Sequence, residues 1–198
     1  MKKWGIQWKA AANPTKSQKN IVLAGLRGTG KSKIGRRLAK KLGFNFIDTD
    51  DLVEKKEGQK LATIVREKGW GHFRNLETKI ASELENKKRL VIATGGGMFI
   101  RQSNAHALKK NGTVVLLKAE APILAERIGE DPNRPRLTKQ KTLKAEMQQL
   151  WKEREKDYHS AADLVVDVSG QTRNAQADAR KKADEIYTLL KESGRLSC

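Results

Sequence analysis

The sequence predicts an α/β fold of three layers, with a five-stranded parallel sheet between two layers of helices. Short apolar runs without polar alternation are separated by longer stretches of helical period. A complete phosphate-loop motif joins the first run to the first helical stretch. Acidic residues and glycines follow the ends of later runs, where open parallel sheets collect their ligands.

The first strand is expected over residues 21–24, Ile-Val-Leu-Ala, followed by a glycine-rich turn and a helix through Leu42. Residues 45–47 read as the second strand, ending at Asp48. Helical patterns then lead to a third strand over 90–93, closed by Gly95-Gly96-Gly97. Residues 113–117 and 164–168 supply the remaining strands, and a last helix is expected over 174–192. Proline is scarce and no Gly/Ser-rich stretch divides the chain, so residues 20–198 are expected to form one domain.

The charge is uneven. The 41 lysines and arginines outnumber the 23 acids, for a formal +18, and no acid occurs before Asp48. Such a field attracts anions, but charge alone does not name them. Residues 1–19 read as a basic, flexible extension carrying Trp4 and Trp8. They lack the apolar core of a secretory signal, and an organellar address is the weaker reading. No apolar run approaches the length of a membrane span. The single cysteine, Cys198, cannot form an internal disulfide, which suits a reducing, cytoplasmic setting.

Gly25-Leu26-Arg27-Gly28-Thr29-Gly30-Lys31-Ser32 fits G-x-x-x-x-G-K-[ST] in full. Its backbone N–H groups from Gly28 through Lys33 are expected to surround phosphates at a helix N-terminus. Lys31 is expected to bridge the outer phosphates, and the Ser32 hydroxyl to ligate magnesium.

Four further features suit a small anionic acceptor. Asp48 and Asp50 follow the second strand and could position a hydroxyl and hold water-bound magnesium; equally, they could cap a helix. Arg74 and Glu77 flank the core stripe Phe73, Leu76, Ile80 and Leu84, either as a surface pair or as a guanidinium oriented to grip a carboxylate. Thr94-Gly95-Gly96-Gly97 permits close approach to backbone N–H groups, unless it is only a flexible turn. Arg154 shares a helical stripe with Leu143, Met147 and Leu150, so it should be buried with a partner, reach a ligand, or snorkel.

The ordered set GLRGTGKS, FIDTDDLVE, FRNLE, TGGG, NRPRL and WKEREKDY resembles the shikimate kinases over roughly residues 20–167. The resemblance implies a P-loop kinase fold, like that of nucleoside monophosphate kinases, with a mobile lid at about 129–140. It implies transfer of the ATP γ-phosphate to the 3-hydroxyl of shikimate, with Mg2+ as cofactor, in a monomer that has no obligate nucleic-acid partner. By the same matching, Asp50 binds and activates the acceptor hydroxyl, and Asp48 holds magnesium through water. Arg74, Arg154 and the N–H groups of Gly95, Gly96 and Gly97 take the shikimate. Arg134 of the lid closes on the phosphates, and Arg173 falls at the adenine-contacting arginine. Trp70 stands where many relatives carry glutamate, and Arg136 where the usual pattern is RPLL. Residues 169–173 also depart from the pattern. A related kinase such as a gluconate kinase is the main alternative; the paired arginines speak against a neutral sugar acceptor, because they suit a carboxylate. A catalytically silent kinase-like binding protein is another. A nucleic-acid role rests on charge alone, with few aromatics to stack on bases.

Overall fold

The computed structural model describes residues 19–129, 136–170 and 175–196. Residues 1–18 of the expected extension, lid residues 130–135 with Arg134, and Arg173 lie outside the described residues.

Strands β1 (Asn20–Ala24), β2 (Asn45–Asp48), β3 (Leu90–Ala93), β4 (Gly112–Lys118) and β5 (Leu164–Asp167) pair in parallel in the order β2-β3-β1-β4-β5. Every residue of β1 is buried, as its uninterrupted apolar run demands of a central strand. The helices are α1 (Lys31–Leu42), α2 (Thr49–Glu57), α3 (Leu61–Leu84), α4 (Gln102–Lys110), α5 (Ala121–Ile128), α6 (Leu143–Ala161) and α7 (Ala175–Glu192). The expected strands agree with these to within one residue at each end. Val168 lies just past β5, although its N–H still donates to Lys118 O at 2.8 Å. Val165 of β5 is exposed, because β5 is an edge strand.

Register fixes where the chemistry can gather. Leu23 and Asp48 both pair with Ala93, so the loops after β1, β2 and β3 leave the sheet side by side. Gly35 lets α1 lie close on this sheet: a Cβ there would sit 2.6 Å from Phe46 Cε2. Helix α1 stops at Gly43, whose left-handed φ of 66° suits a C-terminal glycine. Helix α3 is broken by Gly69, at φ 76° and ψ 167°, so the turns that carry Phe73, Arg74 and Glu77 run on their own axis. The expected stripe of Phe73, Leu76, Ile80 and Leu84 is buried throughout. No helix among the described residues is long and apolar enough to cross a membrane.

Candidate active site

The loop between β1 and α1 is held in its turn from several sides. At Gly25, with φ 134°, a side chain would collide with the carbonyl of Leu117 on β4. Gly28 has φ 86° and stands under α5, where a Cβ would lie 3.2 Å from Leu124 O. Thr29 is buried and its hydroxyl donates to Leu26 O at 2.8 Å, which leaves its backbone as the part able to meet a ligand. Gly30 precedes α1 without any side-chain cap, so the first-turn N–H groups retain their capacity for an anion. Lys31 Nζ donates to the carbonyls of Gly25 and Leu26, each at 2.9 Å, and so arches over the loop. The side chain of Lys33 is exposed, so it too would act through its backbone.

Ser32 Oγ donates to Asp48 Oδ2 at 2.5 Å, while Asp48 Oδ1 accepts the Asp50 N–H at 3.0 Å. Asp48 therefore caps α2 with one oxygen, as the cap reading has it, and turns the other toward the phosphate loop. A hydroxyl beside a carboxylate fits Mg2+, a hard cation that keeps waters and takes its other ligands from nucleotide phosphates. Among the described residues no cluster of three or more His, Cys, Asp or Glu side chains offers an all-protein metal cage.

Asp50 begins the acceptor side. Its Oδ1 is buried without a hydrogen-bond partner, and a Cβ on Gly95 would lie 2.5 Å from that oxygen. Burial, followed by the nearby charges of Asp48 and Glu77, pushes the Asp50 carboxyl up to about 7, with Lys31 pulling the other way. Arg74 Nη1 donates to Glu77 Oε2 at 2.5 Å, and the Glu77 side chain is only 1 % exposed, so the pair is not a solvated surface bridge. Burial raises the Glu77 carboxyl, and Arg74 foremost opposes that rise. The Arg74 guanidinium also lies 5.4 Å from the ring centres of both Trp70 and Phe73. Trp70 thus provides an aromatic shelf where many relatives have a carboxylate. A Cβ on Gly97 would overlap that guanidinium, so a side chain there would push Arg74 from its place.

Arg154 is 7 % exposed and donates through Nη1 to Gly96 O at 2.9 Å, so it does not snorkel. The Tyr158 hydroxyl donates to the same carbonyl, and burial pushes that phenol up to about 12, so it remains a donor at any physiological pH. Asp50 Oδ1, Glu77 Oε1 and Arg154 Nε are all buried without a partner, and all border the 95–97 glycine run. Buried polar atoms are rarely left so, and the cluster has the character of a seat for a small polar ligand. Replacing Arg74 with lysine keeps the charge but removes the planar fork. The Arg74→Lys variant is expected to raise the acceptor KM about tenfold with ATP KM unchanged in steady-state assays; equal effects on both substrates would return Arg74 to a structural role.

Sequence reasoning missed two residues. Arg127, in the last turn of α5, donates through Nη2 to Val168 O at 2.8 Å and Ser169 O at 3.0 Å, while its Nη1 is buried without a partner. It braces the loop after β5 beside the helix that covers Gly28; its only sequence signal was its place just before the lid. Glu146 of α6 is fully buried against Arg27 and Arg136. In sequence it resembles an ordinary acid in the first turn of a helix.

A family model described as "Shikimate kinase" matches residues 27–189. A shikimate kinase of Caldanaerobacter subterraneus subsp. tengcongensis is 43 % identical over 177 residues, covering 89 % of this chain and 99 % of its own. Among solved structures, shikimate kinase from Acinetobacter baumannii in complex with shikimate superposes with a TM-score of 0.81 at 33 % identity, covering 89 % of this chain and 95 % of its own. A gluconokinase from Sinorhizobium meliloti, at 20 % identity and a TM-score of 0.50 over 88 % of this chain and 98 % of its own, shares the fold alone.

Proposed function

The chain belongs to the shikimate kinase family and phosphorylates shikimate with ATP, and we propose that it does so with the groups gathered around the ends of β1, β2 and β3. The acceptor carboxylate lies between Arg74 and Arg154, with the N–H groups of Gly95, Gly96 and Gly97 beside it. This places the 3-hydroxyl at Asp50 Oδ1, the unpaired oxygen that can receive its hydrogen bond and then its proton. The γ-phosphate rests on the N–H groups of residues 28–33, and Lys31 turns from the loop carbonyls to its outer oxygens. Ser32 and Asp48 would hold Mg2+, the latter through water, and the ion would supply positive charge to offset that of the phosphates. Phosphoryl transfer has a loose transition state, so positioning and charge neutralisation outweigh the strength of the base.

The observation that supports this most is the buried cluster of Asp50, Glu77 and Arg154 atoms left unpaired around the glycine run. Two arginines held there favour a carboxylate over the neutral face of a sugar. A monomer in the cytoplasm completes the reading, and the lone cysteine suits that compartment. The test is ADP release coupled to NADH oxidation, with shikimate, its 1-carboxamide, gluconate and RNA as separate additions. Shikimate alone should sustain turnover. Equal rates with the carboxamide would reject the proposed carboxylate site, equal rates with gluconate, itself a carboxylate, would reject shikimate as the preferred acceptor, and an inert protein would be a binding module.

A further inference from the structure

Two arginines without a part in the reaction above meet on one hidden carboxylate. Glu146 lies near the start of α6 with its side chain 0 % exposed. Its Oε1 accepts from Arg27 Nη2 and from the Leu137 N–H at 3.3 Å, and its Oε2 accepts from Arg136 Nε at 2.6 Å. Arg27 is the third residue of the phosphate loop, and Arg136 lies beyond the kinase's expected lid arginine. We infer that Glu146 is a positioning residue for nucleotide binding, which acts through Arg27 to hold the tip of the phosphate loop in the shape that accepts phosphates.

The loop, the ion pair and the helix each support this role. A loop with Gly25, Gly28 and Gly30 all at positive φ loses much conformational freedom when it orders, so an anchor at its tip lowers that cost. Net stability is a poor reason for such an anchor, because a buried ion pair is often no better than an apolar replacement of the same shape. What it supplies is geometry, through charge-assisted bonds of fixed direction. The same helix reaches both substrates. Arg154 of α6 binds Gly96 O, and a Cβ on Gly96 would stand 3.7 Å from Arg27 N, so donor loop and acceptor loop are braced against one rod.

The inference rests on the proposed seating of ATP phosphates in residues 25–32. It is tested by measuring KM for each substrate, and ATP dissociation by calorimetry, for Glu146→Gln, Arg27→Met and the double variant. Each single change should weaken ATP binding about tenfold with shikimate KM within about twofold, and the double should be no worse than the weaker single, because the two act as one unit. Glu146→Asp, which keeps the charge, should recover part of the loss. Arg27→Met leaves Glu146 bonded to Arg136, so it keeps the test open should Glu146→Gln fail to fold. Unchanged or tighter ATP binding in Arg27→Met, parallel rises for both substrates, or multiplicative losses in the double would overturn the inference. Tighter ATP binding in Glu146→Gln would likewise overturn it, and would mean that Glu146 merely neutralises local charge. Failure of the unaltered protein to bind ATP would instead remove the seating on which the inference stands.

Discussion

Lys31→Ala is expected to lower kcat by about three orders of magnitude, the scale of removing a fixed donor from a developing oxyanion. In the structure Lys31 is preorganised: its ammonium bridges the carbonyls of Gly25 and Leu26 across the mouth of the loop. Truncation removes the cation and leaves those carbonyls without it, so ATP KM should rise as well. A second readout separates this from general damage to the fold. Lys31 holds the Asp50 carboxyl down against burial and its acidic neighbours. In the variant the acidic limb of residual kcat/KM should therefore move to higher pH. A folded variant with near-normal turnover would remove Lys31 from the chemistry.

Asp50→Asn should abolish most turnover while making the protein more stable at alkaline pH. In the unaltered protein kcat/KM should fall as pH drops through about 7, where the Asp50 carboxylate takes up a proton. The stability change has the opposite sense. The folded pKa lies above the unfolded value of 3.8, so the folded state binds the proton more tightly. The associated stability is fully present below pH 3.8 and is lost as pH rises through about 7. Above that pH the protein carries a buried, poorly matched charge that asparagine does not. Thermal or urea unfolding at pH 8 should show the variant more stable by roughly 2 kcal/mol, and the difference should vanish toward pH 4. A fully active variant, or a loss of stability at pH 8, would return Asp50 to a helix-first-turn role.

The architecture was largely legible in the sequence, because buried parallel strands and a helix started by a phosphate loop each carry a local pattern. The site was legible where a motif and a strand end coincided. Arg74 and Glu77 stand together as their spacing suggested, and Ser32 stands with Asp48, both having been expected near magnesium. Local pattern could not show which of two compatible roles applied. Asp48 is a helix cap and also a partner of the phosphate loop, and only the register between β2 and β3 reveals the second role. Contacts between distant segments were invisible for the same reason. Arg27 and Glu146 are 119 positions apart, and each has an ordinary local explanation as a basic loop residue or an acid in a first helical turn. Arg136 stood out in sequence only as a departure from the RPLL pattern, and its partner Glu146 is fully buried. Trp70 read as a departure and proved to be a support for Arg74.

The position of β1 in the sheet has a consequence for how the chain acquires its activity. Among the described strands β1 comes first along the chain, yet its ladder neighbours are β3 and β4, the third and fourth. Its pairings span about 70 to 90 residues of chain, as in Ile21 with Val91 and Asn20 with Gly112. Loop-closure entropy must be met before contacts of such long range contribute. The turn at Gly25 is bounded by Leu117, and the Arg27 contact waits for residue 146. The nascent chain thus exposes the wholly buried strand β1 early and gains a competent phosphate seat late. During that interval neither ATP nor shikimate can stabilise it, and protection from misassociation falls to the dense positive charge of the same N-terminal stretch.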